Sequence, residues 1–246
     1  MRAGYVRIGA SKAFPRKQQQ TLRFENSTTR KGETSMKHLR HTFCMAVIVL
    51  VWIPLQASAQ LMLDDFTSGA YVKHLNTGLQ QDRHYAKLAP GSLLGPARQT
   101  DFSIGPNYYK QGATLSIGKG IWILDAGFGT VGATDITYGV TLTGANSPLS
   151  LNLEGYSGFR LNFAGVASSE DLGVIIVVFP HNGDNCASEV VLPTYANPIS
   201  IDFPFSGFNK PGGLTQADAS DIDYIVVEAY GGGFASFGIT SFQAVQ

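Results

Sequence analysis

Apolar and polar residues alternate along most of the chain after residue 60. Phe159, Leu161 and Phe163 are separated by polar residues, and the segments 149–153 and 199–203 repeat this pattern. A period of two is typical of strands that have one face in a core and the other in water. No segment of helical length carries an apolar stripe at i, i+3 and i+4, so we expect helices to be absent or limited to single turns.

Two further segments are apolar on both faces. Leu172–Phe179 contains almost no polar residue, and Ile225–Val227 is similar. Strands of this composition are typically central in a sheet and covered on both sides. We therefore expect these two segments to be central strands with a layer of protein over each face.

Short clusters of Gly, Pro, Asn and Asp separate the apolar runs, at residues 105–107, 144–148, 181–185 and 231–233. Such residues favour the tight turns that join antiparallel neighbours. Many short strands at close spacing, without helical crossovers, favour two packed antiparallel sheets over a parallel sheet. The sequence therefore predicts an all-β fold, a two-sheet antiparallel β-sandwich of jelly-roll type.

The segment Met36–Gln60 has the organisation of an export signal. Lys37 and Arg40 provide a basic start, residues 43–55 are apolar, and Ala57–Ala59 is a small-residue cleavage site. This order predicts cleavage after Ala59 and a secreted protein, extracellular or periplasmic. The alternative is a retained membrane anchor, for which the apolar run is short.

Residues 1–35 are basic and polar and show no apolar periodicity. A segment of this composition cannot bury enough apolar surface to fold. Because Met36 stands directly before the basic start of the signal, we interpret residues 1–35 as an upstream leader outside the mature protein. The expected organisation is therefore a leader (1–35), a signal peptide (36–59) and a single domain (60–246), long enough for one sizeable core.

The expected mature domain is acidic. Ten of the eighteen basic residues precede Gln60, but only two of the eighteen acidic ones do, which leaves a net charge of −8. Nucleic acids and anionic membranes require a basic face, so both are disfavoured as partners. Cys186 is the single cysteine after Gln60, so it cannot form a disulfide within the domain and is either buried or paired between chains.

Five short motifs occur along the domain in a characteristic order: Leu63–Phe66, Gly95–Arg98, Phe203–Phe208, Asp221–Ile225 and Phe237–Phe242. In this order they resemble the secreted bacterial jelly-roll domains related to galactose-binding-like and carbohydrate-binding modules, which often occur in proteins with a PEP-CTERM sorting tail. The sorting tail itself is missing after the last motif. The resemblance implies a fold and a compartment and leaves the ligand open.

Many members of that wider fold hold a structural calcium between the first-strand region and the last strand. The resemblance matches Asp64 and Asp65 to the first half of such a site, but Gly238, Thr240 and Ser241 stand where an acidic residue is often found. Calcium prefers carboxylate and carbonyl oxygens, so here it would depend on backbone carbonyls and water. The alternative is a domain without a cofactor, in which one aspartate orients the first turn and the other is solvated.

Sugar binding needs exposed aromatic faces for stacking and polar side chains for hydroxyl groups. The candidates are Tyr108, Tyr109, Trp122, Tyr71 and His74. If the segment 108–109 is extended, the two tyrosines point in opposite directions and one ring belongs to the core. A sandwich of this size most often buries its single tryptophan.

Catalysis has less support in the sequence. A glycosidase needs two carboxylates across a cleft, and Asp221 with Asp223 could share one strand face, although a turn role is favoured. The histidines at 74, 84 and 181 lack the spacing of a cupin metal centre. Neither a nucleophile elbow nor a phosphate loop occurs after Gln60.

Three hypotheses follow. The first is a secreted, non-catalytic module that binds carbohydrate or another polar surface polymer. The second is a structural or interaction protein of the envelope or extracellular matrix, and the third is a jelly-roll glycoside hydrolase or lyase. A sheet face with exposed rings would favour the first, flat polar sheets the second, and a cleft with paired carboxylates the third.

Overall fold

The computed structural model describes residues 59–76, 80–170 and 172–246. The expected leader (1–35) and signal peptide (36–59) lie outside these ranges, apart from Ala59. The described part is nearly all strand. Its strands are β1 (Gln60–Asp64), β2 (Tyr71–Leu75), β3 (Gln80–Lys87), β4 (Ala97–Asn107), β5 (Ala113–Gly118), β6 (Ile121–Ala126), β7 (Thr130–Val140), β8 (Gly158–Ser168), β9 (Leu172–Pro180), β10 (Cys186–Leu192), β11 (Tyr195–Ala196), β12 (Ile199–Pro204), β13 (Ile222–Gly231) and β14 (Ala235–Val245).

Helical structure in the described ranges is limited to two short segments. One is a 3₁₀ turn at Phe205–Gly207 and the other is α1 (Gln216–Ala219). Thr215 and Asp218 form a capping box at the start of α1, which stabilises this single turn. Neither segment is long or apolar enough to cross a membrane. The expectation of single helical turns is confirmed.

The strands form two antiparallel sheets, as the sequence predicts. Sheet A has the order β11-β8-β14-β6-β5-β2, with β1 also beside β14 and β12 also beside β8. Sheet B has the order β10-β9-β13-β7-β4-β3. In sheet A, Gln60 of β1 pairs with Val245 of β14. The two ends of the domain therefore lie side by side.

Alternate residues of both sheets fill the space between them. In β8, Phe159, Leu161 and Phe163 all face this core, as their spacing predicts. Trp122 of β6 packs edge-on against Phe237 of β14, with their ring centroids 5.8 Å apart. Each fully buried side chain of this size contributes about 1.5 to 3 kcal/mol to the stability of the fold.

The expectation that β9 is covered on both faces is wrong. Ile176 is fully buried in the core, but Ile175, Val177 and Phe179 on the outer face are only half-buried. In a two-layer sandwich each sheet has one partner, so the outer apolar side chains shield one another instead. Phe179, for example, packs edge-on against Tyr224 of β13.

Candidate functional site

Tyr108 and Tyr109 lie in the turn that follows β4, and both rings are exposed. Their exposed fractions are 82% and 61%. Lys110 has a φ of 56°, and the Tyr108 amide donates to the carbonyl of Gly129 at 3.2 Å. The segment is therefore a turn and not an extended strand, so the expected burial of one ring is wrong.

These two rings border a cavity of about 510 Å³ at one end of the sandwich. Phe128 is the third ring, 5.0 Å from Tyr109 between centroids. We call this cavity the end pocket; its lining residues are Tyr108, Tyr109, Phe128, Gly129, Val131, Ser169, Glu170 and Gly233. Apolar ring faces beside one carboxylate and several hydroxyl groups can contact both the apolar and the polar parts of a ligand.

Gly129 is required for the position of the Tyr109 ring. Its φ is +72°, and a Cβ there would lie 2.4 Å from Cδ2 of Tyr109. The ring therefore rests on the turn between β6 and β7, where a larger residue would displace it.

A second cavity of about 370 Å³ lies on the outer face of sheet B. Ser103 and Gly105 of β4 and Val131 and Ala133 of β7 line it, together with Gln81 at its edge. We call this cavity the side trough. Val131 lines the end pocket as well, so the two cavities adjoin.

A row of carboxylates crosses sheet B beyond the side trough. Asp101 of β4 pairs with Asp135 of β7, and Asp135 pairs with Glu228 of β13. On the next strand, β9, Ile175 pairs with Glu228. On its other side, Ile175 pairs with Glu189 of β10, which is the last acidic residue of the row. Neighbouring strands are only about 4.8 Å apart, so the first three carboxylates are direct neighbours. We call these four acidic residues the carboxylate row.

The two ends of the carboxylate row have partners. Arg83 donates from Nε to Asp101 at 2.5 Å, and the hydroxyl of Tyr230 donates to Glu189. Within the described ranges, Asp135 and Glu228 have neither a hydrogen-bond partner nor an ion-pair partner.

Burial raises the pKa of Asp135 to about 7, and the charges of Glu228 and Asp101 add to the effect while Arg83 opposes it. Burial, followed by the charge of Glu189, also raises the pKa of Glu228. Near neutral pH, Asp135 is therefore divided between the carboxylic acid and the carboxylate. The acid can donate a hydrogen bond, whereas the carboxylate can only accept.

The other aromatic candidates lie away from the end pocket. Trp122 is fully buried in the core, so its ring cannot stack on a ligand. Tyr71 is also buried, stacks on His84 at 4.6 Å and donates its hydroxyl to Asp82. His74 is exposed on the opposite sheet, beside Thr114. The structure brings together only Tyr108 and Tyr109 of the five candidates.

The carboxylate of Asp64 is engaged by protein donors. Its Oδ2 accepts from Nη1 of Arg98 and from the hydroxyl of Tyr138, each at 2.7 Å, and its Oδ1 accepts from the amide of Phe66 at 2.7 Å. Asp65 accepts from the amide and hydroxyl of Thr67, which lower its pKa. In the described ranges no three acidic, histidine or cysteine side chains are grouped so that they could hold a metal ion.

The preferred prediction, a domain without calcium at Asp64 and Asp65, is tested by a thermal melt. A cation at a thousand times its Kd would stabilise the native state by about 4 kcal/mol. Since Arg98 already faces Asp64, we expect calcium and chelator to give the same melting temperature. A calcium-dependent rise that disappears in Asp65→Asn would establish the site.

The carboxylates and histidines considered for catalysis do not assemble. Asp223 lies 3.2 Å from Nδ1 of His181, and the carbonyl of Asp221 accepts from the His181 amide. Both contacts join the start of β13 to the end of β9. Asp221 and Asp223 therefore organise a turn and do not face each other across a cleft.

Sequence reasoning missed Phe128, Glu170 and the carboxylate row. Asp135 occupies an outward position of the alternating strand β7, and this position is readable from the pattern. Its alignment with Asp101 and Glu228 depends on strand register, which the pattern does not contain.

No family model and no curated protein matches the chain. Solved structures similar to it include a family 11 carbohydrate-binding module from Clostridium thermocellum in complex with a β-1,3-1,4-mixed-linked tetrasaccharide. It is 13% identical with a TM-score of 0.37, and the match covers 76% of this chain and 95% of that one. The TmCBM61 module in complex with β-1,4-galactotriose is 10% identical with a TM-score of 0.31, over 71% of this chain and 86% of that one. PfGH50B is 11% identical with a TM-score of 0.35, over 58% of this chain and 22% of that one.

Proposed function

We propose that this protein is a secreted, non-catalytic module that binds carbohydrate in the end pocket. The observation that carries the proposal is the convergence of three exposed rings, those of Tyr108, Tyr109 and Phe128, on one cavity of about 510 Å³. Aromatic faces stack on the apolar side of a pyranose, and Glu170 accepts hydrogen bonds from its hydroxyl groups. Secretion rests on the signal expected at residues 36–59.

Exposed aromatic rings that cluster on a protein surface usually belong to an interaction site. Single exposed apolar residues are common, but grouped ones mark interaction sites. Tyr109 and Phe128 pack against each other, and the missing side chain at Gly129 leaves room for the Tyr109 ring. A preorganised aromatic surface of this kind loses little conformational entropy on binding, which favours recognition of a weak ligand such as a sugar.

The first test is binding of the purified protein to an oligosaccharide array, followed by titration calorimetry with the sugars that are retained. We expect Tyr109→Ala to weaken binding about tenfold, since an aromatic contact contributes about 0.5 to 1.5 kcal/mol beyond its buried area. Its melting temperature should stay close to that of the wild type, because the ring is exposed.

Tyr195→Ala is the matched control. Tyr195 is also an exposed tyrosine, but it lies on β11 of sheet A and does not line the end pocket. Its removal should leave affinity unchanged. Equal losses in both variants, or no loss in Tyr109→Ala, would contradict a site in the end pocket.

A glycoside hydrolase is the second candidate, favoured by the direct pairing of Asp135 with Glu228. A retaining enzyme needs two carboxyl groups about 5 to 5.5 Å apart, one protonated and one ionised. Here burial raises the pKa of both groups, which works against an ionised nucleophile. Release of reducing ends from a retained oligosaccharide, lost in Glu228→Gln, would establish the hydrolase and overturn the non-catalytic proposal.

A further inference from the structure

The end pocket opens onto a path along the outer face of sheet B. Val131 lines both the end pocket and the side trough, so the two cavities meet at this residue. From Val131 to Asp135 the strand β7 rises four residues, about 13 Å at roughly 3.3 Å per residue. The path along β7 from the end pocket to Asp135 is therefore longer than a single sugar ring.

The floor of the side trough is made of small residues. Ser103 and Ala133 are cross-strand neighbours, and Gly105 and Val131 follow towards the end pocket. Tyr230 of β13 pairs with Ala133, and its side chain points away from the side trough. Its ring covers Gly173 of β9, and its hydroxyl donates to Glu189 of β10. The space above Ala133 is thus left open on the side of β13.

Negative charges stand at both ends of this path. Glu170 lines the end pocket. Beyond Ser103 and Ala133, the next outward positions of β4 and β7 are Asp101 and Asp135, and Glu228 pairs with Asp135. Arg83, which lies beside the carboxylate row, is already paired with Asp101. Carboxylates accept hydrogen bonds from hydroxyl and amino groups, but they repel anionic groups.

We infer that the end pocket and the side trough form one binding surface for an extended glycan chain of several sugar residues that carries no carboxylate or sulfate groups. This rests on the proposed function and names the class of its ligand. The aromatic rings hold one sugar in the end pocket. The following residues of the chain lie over Ser103 and Ala133 and reach the carboxylate row.

The test is affinity as a function of chain length, measured by calorimetry with two-residue and six-residue oligosaccharides. The probes are neutral glucans, galactans and N-acetylhexosamine chains, with a hexauronate as the anionic probe. For each neutral series that binds, we expect the six-residue chain to bind at least tenfold more tightly than the two-residue chain. The hexauronate should bind more weakly than any of these.

Two variants that block the side trough test whether the additional affinity of the six-residue chain arises there. Ala133→Trp and Ser103→Trp fill the side trough from neighbouring strands, so each should remove the gain with length and leave two-residue affinity within twofold. Ser116→Trp, on the outer face of sheet A, is the matched control and should keep the gain. Two blocking positions keep the test valid if one variant folds poorly.

The outcomes separate the two claims. If no oligosaccharide binds, or if Tyr109→Ala leaves two-residue affinity unchanged, the proposed function fails and this inference fails with it. If sugars bind at the end pocket but length adds nothing, the inference alone is overturned. A gain that survives both blocking variants, or stronger binding of the hexauronate, would also overturn it.

Discussion

Arg98→Met is expected to destabilise the domain by about 3 to 5 kcal/mol, because it leaves the buried carboxylate of Asp64 without its counter-charge. This is a large share of the roughly 5 to 15 kcal/mol that keeps a domain folded. Both side chains are buried, and Arg98 is 0% exposed. The Nη2 atom of Arg98 also donates to the carbonyls of Ser68 and Gly69, at 3.0 and 2.9 Å. The turn after β1 thus loses two further bonds.

Urea unfolding measures this change. Arg160→Met is the matched control, since Arg160 forms a partly exposed pair with Asp202 that should contribute no more than about 1 kcal/mol. Adding Asp64→Asn to Arg98→Met should recover part of the loss, because the uncompensated charge is removed. If Arg98→Met unfolds at the same urea concentration as Arg160→Met, the buried pair is not a main support of the fold.

Asp135→Asn is expected to stabilise the domain at pH 8 and to have little effect at pH 4. The pKa of Asp135 is raised from 3.8 to about 7 in the folded protein. The favourable contribution of Asp135 to the free energy of unfolding is therefore fully present below pH 3.8 and is lost as the pH rises through 7. A rise of this size corresponds to a few kcal/mol, about 4 at most. Asparagine resembles the protonated acid and does not titrate, so it keeps the stability that the wild type loses.

Unfolding free energies of the variant and the wild type at pH 4, 6 and 8 provide the test. Their difference should grow with pH, because burial and the charges of Glu228 and Asp101 disfavour ionised Asp135, while Arg83 opposes them only in part. Asp125→Asn, an exposed change on sheet A, should stay within about 0.5 kcal/mol at every pH. If Asp135→Asn changes the unfolding free energy by the same amount at pH 4 and pH 8, then ionisation of Asp135 does not destabilise the domain.

The alternation of apolar and polar residues along the chain predicted the strands well, together with the side chains that face the core. Phe159, Leu161 and Phe163 are all in the core, because the direction of a side chain in a strand depends only on its immediate neighbours. The same rule failed at Tyr108 and Tyr109, where the backbone turns and the period of two no longer applies.

Contacts between distant strands could not be predicted in this way. Arg98 stands at an inward position of β4, and its partners Asp64 and Tyr138 come from β1 and β7. Asp135 and Glu228 likewise meet only because β7 and β13 pair in one particular register. A single sequence carries each strand's pattern but not the alignment of one strand with another, so most of the candidate site was found only in the structure.

The direction of β14 determines how the domain would present the end pocket when it is tethered. One end of this strand follows Gly233, a lining residue of the end pocket, and the other end pairs with β1 at Gln60 and Val245. Eleven residues at roughly 3.3 Å each separate these ends by on the order of 30 Å. A fusion partner or surface attached beside Gln60 or Val245 would therefore lie about one strand length from the end pocket and would leave its opening accessible.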